Sequence, residues 1–169
     1  MTTTPADDYT LIPLSGRGVG LAPHIHPANA YFWESIARGA LSLQRCGDCR
    51  TLRFPLSPRC HNCLSALFDW EVVDTRGVID VVVENPSATV GMPRIGLEHP
   101  WNEVAPYFTG NVDMDCGVRM PGRIICDCGG VRKPRARVRG VLLETTSDIP
   151  VYGFGHECVL GAAVEVAGT

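Results

Sequence analysis

Residues Arg45 to Leu64 read R-C-G-D-C-R-T-L-R-F-P-L-S-P-R-C-H-N-C-L, and this stretch constrains the fold more than any other. It holds two C-x2-C pairs, Cys46/Cys49 and Cys60/Cys63, separated by ten residues. Each pair can turn as a knuckle that aims two sulfurs at one point, and two facing knuckles make the tetrahedral four-thiolate shell of a closed zinc site. Between them Pro55, Ser57 and Pro58 suit a short hairpin that folds the second knuckle onto the first. The spacing therefore predicts a small zinc ribbon over residues 41–74 with one structural Zn2+. Iron in a rubredoxin-like site uses the same ligands. Such knuckles usually carry Gly after the second Cys, whereas this chain has Arg50 and Leu64 there, which weighs against a redox centre. Four thiolates around Zn2+ leave a local charge of about −2. Arg45, Arg50, Arg53 and Arg59 crowd the stretch, either to offset that charge or to meet a phosphorylated ligand.

The 169 residues allow a modest core, and a net charge of −3 argues against a general polyanion binder. No apolar run is long enough for a transmembrane helix, and M-T-T-T-P-A-D-D lacks the features of a secretory signal. A cytoplasmic setting is expected, with zinc in place of disulfides. The other four cysteines, Cys116, Cys126, Cys128 and Cys158, show no second zinc pattern in the sequence.

Residues 1–26 read as an irregular arm, and Gly16 to Gly20 is no phosphate loop because Pro23 stands where a helix should begin. His24 and His26 are expected to face solvent. Residues 27–40 form the best helix, with Pro27 at its start and Gly39 as its left-handed stop. Its three aromatics, Tyr31, Phe32 and Trp33, serve either a buried helix or a partner-docking surface. Residues 75–169 have β texture, with strands expected near 78–83, 108–114, 118–125, 137–143 and 159–166 and no second good helix. The chain thus reads as mainly β: an N-terminal helix, a zinc ribbon, then a small antiparallel barrel or sandwich with a C-terminal tail. The long loop from Asn85 to Pro106, with His99 and Trp101, is a candidate pocket wall.

No hydrolytic or paired-acid constellation appears, so the catalytic set is empty. Cys126-Asp127-Cys128 with Gly129-Gly130 behind it is either a reactive pair or two inert thiols. Arg119, Arg123, Arg132, Lys133, Arg135, Arg137 and Arg139 form a basic strip suited to phosphates or a solvated face. It has no interleaved aromatics for base stacking, which argues against nucleic acid.

The order of parts resembles the small zinc-ribbon/OB-fold proteins associated with acyl-CoA enzymes. The likeness rests on Phe32-Trp33-Glu34, Leu43-Gln44-Arg45-Cys46-x-x-Cys49, Arg53-Phe54-Pro55 and Cys60-x-x-Cys63. Gly77-Val78, Gly117 to Arg123 and Val151 to Phe154 extend it into the barrel. Lys133-Pro134-Arg135-Ala136 departs from the family's usual Gly-Met-Pro-Val step. The resemblance implies a rubredoxin-like zinc ribbon followed by a small antiparallel OB-type barrel, and a non-catalytic or semi-catalytic subunit that completes a thiolase or thiolase-like aldolase, or sometimes a hydratase, working on coenzyme A thioesters. In such a complex the helix aromatics Tyr31, Phe32 and Trp33 are the candidate partner contact, and Arg119, Arg123 and Arg137, on or beside predicted strands, are the candidates for coenzyme A phosphates.

Overall fold

The computed structural model of the chain describes residues 9–17, 22–85, 106–133 and 135–164, with side chains as far as 161. His99, Trp101 and most of the long loop lie outside the described residues. The elements are β1 (Ile12–Leu14), α1 (Ala30–Ala37), β2 (Ser42–Cys46), β3 (Leu52–Arg53), β4 (Phe68–Val72), β5 (Arg76–Asn85), β6 (Tyr107–Met114), β7 (Arg119–Ile125), a 3-10 turn (Gly130–Arg132), β8 (Arg137–Leu143), β9 (Val151–His156) and α2 (Glu157–Val164). Among the described residues no helix is long and apolar enough to cross a membrane.

Helix α1 starts at Ala30, later than Pro27, and ahead of it the Asn29 Oδ1 accepts from the His26 amide while its Nδ2 donates to the His24 carbonyl. Gly39 takes the left-handed conformation expected of it, with φ 79°. Phe32 and Ile36 point into the core, while the Ser35 hydroxyl lies 2.6 Å from that of Ser42, tying the helix to the first ribbon strand. His24 and His26 are exposed, as expected.

The ribbon is a three-stranded antiparallel sheet, β3-β2-β4, in which Cys46 at the end of β2 pairs with Phe68. Strands β5-β6-β7-β9-β8 form the barrel, closed where β8 returns to β5. Most pairings are antiparallel, but β7 meets β9 in parallel over only two positions, Ile124↔Phe154 and Ile125↔Gly155. A bulge between Ile79 and Val81 coils β5 around the barrel. Opposite it Gly110 is required for close approach, since a Cβ there would sit 2.2 Å from the Val81 carbonyl oxygen.

Two expectations are corrected. The N-terminal arm is not wholly irregular: β1 lies parallel to the second half of β8, along the edge that β5 leaves free after Arg139. The last strand is not 159–166. The chain closes the barrel with β9, and Val159 lies in α2, buried against Leu14, Ile125, Val141 and Leu143. Ribbon, helix and barrel share one core: Phe32, Ile36, Leu43 and Leu52 are continuous with Ile79, Val112, Met120 and Phe154.

Candidate metal centre

The two knuckles repeat one hydrogen-bond plan. The Cys46 amide donates to the Thr51 carbonyl and the Arg50 amide to the Cys46 carbonyl, at 2.9 and 3.2 Å. The Cys60 amide donates to Ser65 and the Leu64 amide to Cys60, at 2.8 and 2.9 Å. Arg50 and Leu64 occupy the positions where such knuckles usually carry Gly, and both adopt its left-handed conformation, with φ of 61° and 63°. The missing glycines therefore leave the knuckle geometry intact and do not separate zinc from iron. Strain of this kind, of order 1–3 kcal/mol per residue, persists where the surroundings over-determine it, as a four-ligand metal site does.

The four sulfurs lie within 4.8 Å of one another. Cys46 and Cys63 are 3.6 Å apart at sulfur, and Cys49 and Cys60 3.5 Å. Thiolates about 2.3 Å from a tetrahedral zinc stand about 3.8 Å apart, so the residues fit the ion. Thr51, with its Oγ1 3.2 Å from the Cys49 sulfur, holds that thiol down at about 5. The Cys49 amide and the Arg53 guanidinium bring Cys46 to about 7. Cys63 is pulled down by the Ser65 amide but pushed up further, to about 12, by the neighbouring sulfurs and its own desolvation. Four thiolates cannot accumulate charge together without a cation among them, which is the chemistry a divalent metal supplies.

Three of the crowded arginines have structural tasks. Arg53 is fully buried beneath the knuckles, donates to the Leu67 and Ser65 carbonyls at 2.6 and 3.1 Å, and stacks on Phe68. Arg45 makes a two-pronged pair with Glu71, which lowers the carboxyl's pKa. Arg59 donates to the Leu64 carbonyl.

The remaining predicted residues separate. Phe32 is 3% exposed and belongs to the core, so it offers a partner little surface of its own. Tyr31 and Trp33 are more open, and all three aromatics line a groove of about 660 Å³ between helix and ribbon, with Phe54, Pro55, Trp70 and Tyr152; Tyr31 stacks on Trp70 at 4.8 Å. In the basic strip, Arg119 is paired with Asp113 and Asp80, and Arg137 with Asp115. Arg123 is half-buried over the Tyr107 ring, its pKa lowered by desolvation, and its Nε has no hydrogen-bond partner among the described residues. One expectation fails outright. Cys126, Cys128 and Cys158 do have a pattern, because the fold brings them together with His156, four ligand atoms within 4.8 Å. The sequence signal was a pair of i, i+2 hooks, C-x-C and H-x-C, too far apart in the chain to be joined by spacing.

A zinc ribbon fused through a common core to a closed five-stranded barrel defines a zinc-ribbon/OB-fold protein. Within it, residues 33–69 match the ChsH2 rubredoxin-like zinc ribbon domain. A solved chain of an Ltp2-ChsH2(DUF35) aldolase has the same fold, with TM-score 0.64 and 23% identity over 80% of this chain and 98% of that one. A probable enoyl-CoA hydratase alpha subunit of Thermomonospora curvata is 32% identical over 107 residues, 61% of this chain and 29% of that protein. The chain thus spans about three tenths of the length of this curated relative.

Proposed function

We propose that the chain is a non-catalytic, zinc-binding accessory subunit of a heteromeric enzyme acting on acyl-CoA thioesters, with a thiolase-like aldolase subunit as its partner. One observation carries this reading: ribbon, helix and barrel together match nearly the whole of a chain from an aldolase whose name joins two components. The aromatic groove beside Tyr31 and Trp33 supports it, since rigid aromatics around an apolar cleft suit the centre of a protein interface. The chain's part is to stabilise its partner and to border the coenzyme A site. Of the three arginines assigned to phosphate, Arg123 is the best placed, because Arg119 and Arg137 already hold carboxylates. Clustered free thiols held for metal suit a complex of the reducing cytoplasm.

A second reading, an accessory subunit of an enoyl-CoA hydratase, is favoured by the name of the Thermomonospora curvata relative. Co-expression of the chain with a thiolase-like subunit and, separately, with a hydratase-type subunit distinguishes the two. The expected result is a stable complex with the thiolase-like partner, weakened by Tyr31→Ala with Trp33→Ala. A complex with the hydratase alone replaces the first reading by the second. Tight, salt-sensitive binding to single-stranded oligonucleotides with neither complex formed overturns both in favour of a nucleic-acid module.

A further inference from the structure

The barrel carries a second cluster of metal-type ligands that the ribbon does not use. Strand β7 ends at Ile125 and β9 at His156, and these strands pair over only two positions before they part. At the point of parting, Cys126 and Cys128 project from one side of the seam and His156 and Cys158 from the other. Cys126 follows Ile125 of the last paired position, and His156 follows its partner Gly155.

We propose that Cys126, Cys128, Cys158 and His156 bind a second zinc ion, which fastens the β7–β9 seam of the barrel. The sulfurs of Cys126 and Cys128 are 3.8 Å apart, as are those of Cys126 and Cys158. Cys128 Sγ lies 3.6 Å from His156 Nδ1. A tetrahedral zinc with Zn–S about 2.3 Å and Zn–N about 2.0 Å sets edges of about 3.8 Å between sulfurs and about 3.5 Å between sulfur and nitrogen. These separations match an ion-sized centre and are far longer than the roughly 2.05 Å of a disulfide.

The surroundings agree. The Asp127 amide donates to Cys158 Sγ at 3.3 Å and the Gly130 amide to Cys128 Sγ at 3.4 Å, the kind of support that orients thiolate ligands. The ribbon does likewise, with the Asn62 amide 3.4 Å from Cys60 Sγ. His156 is buried, its Nδ1 facing the sulfurs. Residue 130 has to be glycine for that ring to fit: a Cβ there would lie 2.7 Å from His156 Cε1 and 2.8 Å from Nε2. Three thiolates and one imidazole select a borderline-soft tetrahedral ion over calcium or magnesium. Three protons leave the thiols as the ion enters.

The test is metal content of the full chain, reconstituted with zinc under reducing conditions and desalted. Wild type is expected to hold two zinc ions per chain, and Cys128→Ser with Cys158→Ser one. One zinc in wild type, or two in the double variant, overturns the proposal. Should the variant fail to fold, X-ray absorption at the zinc edge of the wild type decides. Two sites give a first shell of sulfur with a minority of histidine nitrogen, and the ribbon alone gives sulfur only. A Cys126–Cys158 or Cys126–Cys128 disulfide in the freshly reduced, zinc-treated protein also overturns it.

Discussion

The ribbon and the barrel seam each gather four soft ligands, by opposite means. In the ribbon all four come from residues 46–63, and the strands around them are short, β3 having two residues. At the seam they come from two hooks, 126–128 and 156–158, carried by strands that already belong to a closed barrel. The difference assigns the metal a different task in each. A ribbon has little fold without its ion, so binding energy there is folding energy. The barrel has Val112, Met120, Val141 and Phe154 to hold it, and the seam ion only fastens two ends.

Breaking the ribbon should have the largest effect. Cys60→Ser removes a buried thiolate from a class of site whose zinc is worth about 10–16 kcal/mol in isolated zinc-finger peptides. The expected outcome is loss of one metal ion with loss of hydrogen-exchange protection in residues 42–72, while strands β5 to β9 stay protected. Simultaneous melting of both regions would show that their shared core makes them one cooperative unit.

Arg53→Met ranks next. It keeps the apolar stem but removes the guanidinium's bonds to the Ser65 and Leu67 carbonyls, which keep the Cys60 and Gly47 amides as donors, so each lost bond costs about 1–2 kcal/mol. A loss of about 2–4 kcal/mol in denaturant unfolding of the metal-loaded chain is expected. A loss of less than about half of that would mean that water replaces the guanidinium.

Gly130→Ala sharpens the comparison from the barrel side. Its methyl should displace the His156 ring and weaken the seam site about 10–100-fold, the range seen when the support of a zinc ligand is disturbed. Competition with a chromogenic chelator reads this directly, and the ribbon ion should be unaffected. Equal weakening of both ions would argue against two independent sites. The smallest effect belongs to Arg119→Ala, whose paired carboxylates are solvent-exposed. Its melting temperature should be indistinguishable from wild type, as is usual for surface ion pairs.

Much of the fold was legible because it is local. The knuckles, the helix stop at Gly39 and the strand 137–143 arise from residue types at short spacing, and each lies where spacing put it. The helix aromatics were legible only as a set. Phe32 is buried in the core while Tyr31 and Trp33 stand more open in the groove that all three line, a division made by how the helix packs on β2 and β9 and not by its composition.

The sequence by itself determined the ribbon, because two C-x2-C knuckles ten residues apart have one compact way to share an ion, and it determined the β texture of the barrel. The tertiary structure alone decided the rest. Val159 has a strand-former's side chain, yet it lies in a helix because that buries it against Leu14 and Val141. Ile12 to Leu14 form a strand because β8 offers them half an edge. Cys126, Cys128, His156 and Cys158 meet because barrel closure brings β7 beside β9, a contact about 30 residues apart in the chain that no local spacing encodes.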